Sequence, residues 1–360
     1  MKVMITGATG FFGSYIAELC VKQKDQVRVL VYIAELCVKQ KDQVRVLVKK
    51  TSNLEFLKQF PGIEYVYGSL NDAVSIEGAV KGMDVVYHAA ARVVDWGTKK
   101  QFMEANYEGT KLIVDACKRH EVKKLVFVSS PSVVFDYKDE IMIDESYPYP
   151  AKFANYYSEA KALAEQYVVK SHDPDGLQTV VIRPHALWGP RDTSGFMPRV
   201  IAKIKEGKIK DFSGGKKVMV DMCYALNGAE ACLLAAKSKI SGGKIYFISD
   251  DEPVDVWKFF NNLSERLQIP GIHQRISKKF LTTIVWMIEI IWKLPFLAKN
   301  YAPPLTKYAI GVLTNSTTYT LDAAKKDLGY NPKVSVEKGL DNLIKWIEEI
   351  GGIDEYTKNV

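Results

Sequence analysis

With 360 residues the chain can bury a large core, either as one big α/β domain or as a cofactor domain with a smaller companion. Its composition, with 25% charged residues, is that of an ordinary soluble protein, and its net charge of +7 is modest. The basic residues are not interleaved with a nucleic-acid motif, so no nucleic-acid partner is expected. The five cysteines, Cys20 and its duplicate Cys37 among them, lie in apolar patterns without C-x-x-C spacing. Packed thiols in a reducing compartment are expected, with no disulfides and no metal site. No signal peptide precedes the first apolar run, so a cytoplasmic location is expected.

In chain order, the run Lys2-Val-Met-Ile5 predicts a buried strand, and it stops in Thr6-Gly-Ala-Thr-Gly-Phe-Phe-Gly13 before a helical pattern. A strand feeding a glycine loop that opens a helix presents bare backbone N–H groups and a positive helix end to a pyrophosphate. Gly7 and Gly10 let the backbone approach phosphates, Gly13 lets the helix lie close on the strand, and Thr9, Phe11 and Phe12 complete the cofactor-binding loop. Next, Tyr15–Val31 and Tyr32–Val48 are the same 17 residues, YIAELCVKQKDQVRVLV, in exact tandem. Two perfect copies do not make a repeat fold, which needs three or more diverged units. Only the first copy joins the glycine loop and only the second runs into Lys49-Lys50. The expected arrangement is therefore the helix of copy one with the strand of copy two, residues 25–43 being an excursion; strand 27–31 is the alternative.

Ile63–Tyr67 and Asp84–His88 read as strands, Lys99–Arg119 as a long helix, Lys123–Ser129 as a Val-rich strand, 153–170 as a helix and Gln178–Arg183 as a further strand. This alternation implies βαβ units and a Rossmann-type doubly wound parallel sheet, class α/β, spanning 1–190. After Gly189-Pro-Arg-Asp192 regularity weakens. Helices near 196–206, 223–237, 254–267 and 335–349 mix with isolated strands such as Lys244–Ser249. A smaller α+β substrate lobe is placed at 191–220 and 251–360, with 221–250 returning to the sheet as an option. Between Gly271 and Gly311, six Lys/Arg face a single acid, Glu289, around the apolar run Phe280–Trp292. That run is too short and polar to span a bilayer. It suits an interfacial helix or an apolar substrate mouth, with a buried core helix as the plain alternative.

Tyr157 and Lys161 are four apart on the helix at 153–170, hence on one face. Tyr107 and Lys111 share this spacing, so position must decide. The strand Lys123–Ser129 delivers Ser129, Ser130 and Ser132 at its C-terminal end, where open parallel sheets bind ligands, and the 157/161 pair follows it. A free phenol titrates near ~10; a nearby ammonium and the positive ring of an oxidised nicotinamide are expected to lower that value. Tyr157 then takes or returns the substrate hydroxyl proton while a serine holds the same oxygen in line. Ser130 is assigned that role, with Ser129 and Ser132 open. His88, at a strand end, and His185 read as structural.

TGATGFFG, His88-Ala-Ala-Ala91, Asn106-Tyr-Glu-Gly-Thr110, Ser129-Ser130, Tyr157-x-x-x-Lys161 and Arg183-Pro-His-Ala-Leu-Trp-Gly-Pro-Arg-Asp192 together resemble the extended short-chain dehydrogenase/reductase superfamily. Later strings, Asp221–Asn227, Tyr246–Pro253 and Pro303-Pro-Leu-Thr306, are most similar to its 3β-hydroxysteroid dehydrogenase and sterol-4α-carboxylate 3-dehydrogenase branch, with dihydroflavonol-reductase-like proteins next. The resemblance implies a nicotinamide cofactor, Tyr157 as proton acceptor and donor, Lys161 bonding the nicotinamide ribose and Ser130 assisting. It also implies Asn106 supporting the active-site helix and its water, Ala89, Ala90 and Ala91 along the adenine-ribose and phosphate path, and Pro184–Leu187 beside the nicotinamide. Basic residues after the second strand accommodate a 2′-phosphate, so Lys49 favours NADP over NAD if copy two supplies that strand.

The function expected is interconversion of a secondary alcohol and ketone on an apolar small molecule, a 3β-hydroxysteroid or sterol, with decarboxylation where a 4-carboxylate is present. A 2-alkyl-3-oxoalkanoate or dihydroflavonol-like ketone reductase, a nucleotide-sugar epimerase or dehydratase, and a non-catalytic dinucleotide-binding regulator are the alternatives. A peripheral membrane contact through 280–298 and a homodimer are left open as partners.

Overall fold

In β1 (Lys2–Thr6), Val3 and Ile5 point into one apolar cluster and Met4 into another. That two-residue alternation, with both faces apolar, marks a strand sandwiched between helical layers. The computed structural model describes residues 1–22, 43–94, 96–193, 195–292, 296–297, 303, 305–358 and 360. The strands after β1 are β2 (Gln43–Val48), β3 (Ile63–Tyr67), β4 (Val85–His88), β5 (Lys124–Val128), β6 (Glu140–Ile143) and β7 (Gln178–Pro184). They continue with β8 (Leu187–Trp188), β9 (Met219–Val220), β10 (Cys223–Tyr224), β11 (Ile245–Ile248), β12 (Val254–Asp255) and β13 (Thr317–Tyr319).

Seven of them form one parallel sheet in the order β3-β2-β1-β4-β5-β7-β11. The winding reverses between β1 and β4, and a crevice opens beyond the strand ends at such a reversal. The first copy of the duplicated segment contributes Tyr15–Lys22 of the helix Phe11–Lys22, and the second contributes β2. The 23–42 stretch, most of the expected excursion, lies outside the described residues. Helices Phe11–Lys22 and Ala225–Lys237 pack together on one face, where a Cβ on Gly228 would stand 3.0 Å from the Phe12 ring. Helices Ala73–Val80, Gly109–Arg119 and Tyr156–Lys170 cover the other face.

Several expected elements differ in detail. The helix expected over 99–119 is α-helical at Lys99–Phe102 and Gly109–Arg119, with a π-helical turn at Met103–Glu108 between them. Thr110 back-bonds the Asn106 carbonyl at 2.6 Å, and a Cβ on Gly109 would press on Leu70 at 2.8 Å. A widened turn fits that local bonding, and such turns are frequent at functional sites. The helix Ala73–Val80, capped by Asp72, was not anticipated.

The lobe is a second apolar cluster, around Trp188, Met197, Trp257, Phe260, Leu340 and Leu343, beside a four-stranded sheet β12-β9-β13-β6. β6 comes from within the first 190 residues and pairs with β13, so the chain crosses the expected boundary before residue 190. Conversely β11, from the 221–250 segment, extends the main sheet beside β7. Among the described residues no helix is long and apolar enough to cross a membrane.

Candidate active site

The glycine loop sits where the winding reverses. Gly7 has φ +75°, a conformation suited to glycine, and a Cβ there would lie 2.8 Å from the Ala90 amide nitrogen. A Cβ on Gly13 would lie 2.2 Å from the Gly7 carbonyl oxygen, so the helix can seat against the loop only without a side chain. Gly10 N–H closes the turn on the Gly7 carbonyl at 2.9 Å. Phe11, Phe12 and Gly13 make the first helical turn, whose amides have no carbonyl earlier in the helix to bond. The Phe12 ring is buried, so these residues can offer a phosphate backbone rather than side chains. Thr9 is half-buried on the loop. These residues fit the pyrophosphate of a dinucleotide.

A buried polar frame holds the loop against its neighbour. Thr6 Oγ1 accepts the Ala90 N–H at 3.1 Å and lies 2.7 Å from His88 Nδ1, while His88 Nε2 lies 3.0 Å from Thr110 Oγ1. Burial, aided by the Lys161 charge, pushes the imidazole down to about 3, so His88 is a neutral tie between β1, β4 and the helix Gly109–Arg119. Ala89, Ala90 and Ala91 are half-buried along this edge. Asn106 is buried, and its amide is used on one residue: Oδ1 accepts the Arg92 N–H at 2.7 Å and Nδ2 donates to the Arg92 carbonyl at 3.2 Å. Asn106, expected among the cofactor-binding residues, thereby ties the segment after Ala91 to the π-helical turn Met103–Glu108.

Ser130, Tyr157 and Lys161 converge beyond β5. Asn155 caps the helix Tyr156–Lys170 by accepting the Ser158 N–H at 2.8 Å, which presents Tyr157 in the first turn. The Ser130 side chain hydrogen-bonds Tyr157, and the Phe102 ring meets the phenol edge-on at 6.4 Å. Ser130 Oγ also accepts the Ser132 N–H at 3.2 Å. The other two serines are buried, and their hydroxyls have no hydrogen-bond partner among the described residues. Lys161 is buried, its Nζ donating to the Val128 carbonyl at 2.6 Å and standing 4.0 Å over the Phe127 ring.

The electrostatics correct one expectation. Burial pushes the Tyr157 phenol up to about 12, against a lowering from the Ser130 hydrogen bond. Burial also pulls the Lys161 amine down to about 7, opposed by the Glu165 carboxylate. Desolvation sets the direction, and the lowering that opposes it comes from the Ser130 hydrogen bond and not from the Lys161 ammonium. The second Tyr/Lys pair is a surface arrangement, Lys111 meeting Glu108 at 3.1 Å and lying 5.2 Å over the Tyr107 ring.

At the end of β7, Pro184 is buried and aligned with Ile248 of β11. His185 Nδ1 lies 2.6 Å from the Asp221 carbonyl, and burial holds its imidazole down at about 4, so it too is structural. Lys49 and Lys50 are exposed after β2, whose pairing of Leu47 with Thr6 brings them out beside the glycine loop. Sequence reasoning passed over one feature of the site. Glu165, one turn beyond Lys161, is fully buried and bonds Arg183 of β7 through Arg Nε at 3.1 Å, with the Tyr149 hydroxyl donating to it at 2.7 Å. The 157, 161, 165 spacing was its visible signal.

A parallel sheet reversing at a glycine loop, with Ser130, Tyr157 and Lys161 beyond its strand ends, is the arrangement of an NAD(P)-dependent oxidoreductase of the extended short-chain dehydrogenase/reductase type. The sequence pattern of the 3-beta hydroxysteroid dehydrogenase/isomerase family matches residues 4–277, and the chain belongs to that family. It is 34% identical over 293 residues to a 2-alkyl-3-oxoalkanoate reductase of Shewanella oneidensis, covering 78% of this chain and 75% of that one. It is 30% identical over 290 residues to a decarboxylating sterol-4-alpha-carboxylate 3-dehydrogenase of Bos taurus, covering 79% and 81%. The fold matches the Bordetella bronchiseptica enzyme WbmH, solved in complex with NAD+, at a TM-score of 0.70 and 20% identity over 97% of this chain and 99% of that one.

Proposed function

We propose that the chain interconverts a secondary alcohol and a ketone on a bulky apolar 3-hydroxy or 3-oxo acid, a class that includes sterol 4-carboxylates and 2-alkyl-3-oxoalkanoates. The observation that carries the reaction type is the Ser130–Tyr157 hydrogen bond one helical turn from buried Lys161. Support for the substrate class comes from two relatives whose names share a carboxylate next to the reacting carbon. In the oxidative direction the product is a β-keto acid, which loses CO₂ without a further protein group.

When bound, the nicotinamide supplies or accepts the hydride at the carbinol carbon. The protein handles the proton. Tyr157, protonated at neutral pH, donates its O–H proton to the ketone oxygen in reduction and takes the alcohol proton back in oxidation. Ser130 bonds the same oxygen and holds it in line. Lys161, fixed through the Val128 carbonyl, is the residue for the nicotinamide ribose, and Gly7, Gly10, Phe11, Phe12 and Gly13 are those for the pyrophosphate. The exposed Lys49 beside the loop supports NADP(H) as the preferred form.

Turnover of NADPH and NADH against a panel of 3-ketosteroids, 2-alkyl-3-oxo acids and nucleotide sugars tests this reading. Expected are activity with the first or second group, a preference for NADPH, and a loss of roughly 10² to 10⁴ in kcat in Tyr157→Phe with cofactor binding retained. Turnover of nucleotide sugars alone would overturn the substrate class.

A further inference from the structure

An exposed arginine stands next to the reacting groups, and a buried amide holds its backbone. Asn106, in the π-helical turn Met103–Glu108, uses both side-chain polar atoms on the Arg92 N–H and carbonyl, at 2.7 and 3.2 Å. A buried side chain committed in this way fixes the backbone of a residue whose own side chain lies at the surface, as supporting hydrogen bonds around a binding group do. The Arg92 guanidinium lies 5.6 Å over the Phe102 ring, and the same ring meets Tyr157 edge-on at 6.4 Å. Gly97 keeps the space over that ring open. Its φ is +152°, and a Cβ there would stand 3.1 Å from the Phe102 edge and 3.5 Å from Arg92 Nη2.

The charge of Arg92 is not answered by the protein. Four cations fall between positions 92 and 111. Lys99 pairs with Glu159, Lys100 with Glu104 at 3.7 Å and Lys111 with Glu108 at 3.1 Å, whereas Arg92 has no carboxylate partner among the described residues. Deeper in the site, Arg183 is matched by Glu165 and Lys161 is bonded to the Val128 carbonyl. Arg92 is therefore the cation of this neighbourhood that can take an anion from outside. A guanidinium presents a planar fork that donates two parallel hydrogen bonds to a carboxylate. In a 3-oxo acid the carboxylate carbon is two bonds from the carbonyl carbon. With a hydrogen bond of ~2.9 Å added at each end, such a molecule bridges a phenol and a guanidinium that have one aromatic ring between them.

We propose that Arg92 grips the substrate carboxylate while Tyr157 and Ser130 meet the ketone oxygen, so that the site selects 3-oxo acids over neutral ketones of the same shape. The inference rests on the reaction proposed above and names the group that recognises its substrate. A cofactor phosphate is the competing anion, because Arg92 follows Ala89–Ala91 on one segment. The seat of the guanidinium on Phe102, the ring that touches Tyr157, favours the substrate.

Reduction of a freshly prepared 2-alkyl-3-oxo acid and of its methyl ester by the full-length enzyme with NADPH tests the proposal. The wild type should prefer the acid, and its KM for the acid, but not for the ester, should rise with salt, a readout that needs no variant. Arg92→Gln should lower kcat/KM for the acid roughly 10- to 100-fold, mainly through KM. The fall for the ester should be smaller by about a factor of ten or more. Arg92→Lys should recover part of the loss, and the unfolding midpoint of Arg92→Gln should stay at the wild-type value, since the side chain is exposed. Equal falls for acid and ester, or a wild type indifferent to the carboxylate, would overturn the proposal and leave the reaction standing. A loss of NADPH affinity in Arg92→Gln, measured by fluorescence titration, would overturn it too and assign Arg92 to the cofactor phosphates. A wild type that reduces neither acid nor ester but turns over nucleotide sugars would remove the underlying substrate reading, and this inference with it.

Discussion

Replacing Glu165 with methionine removes one half of a fully desolvated ion pair. The Glu165 side chain is 0% exposed and that of Arg183 1%, and the carboxylate carries both the Arg183 Nε bond at 3.1 Å and the Tyr149 hydroxyl bond at 2.7 Å. Arg183 Nη1 already has no hydrogen-bond partner among the described residues, so Glu165 is the group that compensates its charge. The guanidinium stays charged in the variant, because arginine does not give up its proton in proteins even when buried. The single substitution should therefore cost about 3–5 kcal/mol, whereas replacing both partners with methionine should be close to neutral. The difference is a coupling of similar size, read from equilibrium unfolding in urea for the wild type, both single variants and the double variant. A Glu165→Met cost below about 1 kcal/mol, or a double variant no better than either single one, would refute the argument that an uncompensated charge sets the penalty.

Three further outcomes follow from the geometry. Gly13→Ala puts a Cβ 2.2 Å from the Gly7 carbonyl; NADPH affinity, measured by fluorescence titration, should fall at least about tenfold, one factor of ten being about 1.4 kcal/mol, and unchanged affinity would show that the loop is not the pyrophosphate site. Glu140 is buried and its carboxyl is pushed up to about 7, with the Tyr319 hydroxyl donating to it at 3.0 Å. Its folded value lies above the unfolded one, so its stabilising proton is fully held below about pH 4.3 and lost as pH rises through about 7. Glu140→Gln should remove that slope, and the unfolding midpoint of the variant should gain on the wild type between about pH 5 and pH 8; parallel pH curves would refute it. Since burial holds the Tyr157 phenol near 12, kcat for reduction should be flat through neutral pH while kcat for oxidation climbs with pH, and an oxidative rate falling from neutral to alkaline pH would remove Tyr157 as the base.

The site was legible where chemistry follows from local order, and illegible where it depends on what lies across the sheet. Thr6 to Gly13 could be read as a phosphate loop because strand, glycines and helix are consecutive, and the steric limits at Gly7 and Gly13 are met within that same stretch. Tyr157 and Lys161 could be paired because one helical turn separates them. The direction of the phenol's shift could not be read, since spacing shows the amine but not the burial contributed by elements such as Phe102, 55 positions earlier in the chain. The two-residue strands β8, β9, β10 and β12 are too short to leave a period, and the pairing of β6 with β13 joins Glu140 to Thr317 across the intervening chain.

Glu165 shows where the boundary falls. Its place one turn after Lys161 is plain in the sequence, yet its partner Arg183 becomes a neighbour only through the ladder that sets Val128 of β5 beside Ile182 of β7. Ser129 N–H bonds the Ile182 carbonyl at 2.7 Å in that same register. The carbonyl that holds Lys161 and the arginine that holds Glu165 are thus adjacent rungs of one ladder. A shift of one residue between β5 and β7 would turn Arg183 to the opposite face and release the helix Tyr156–Lys170 from its buried anchor.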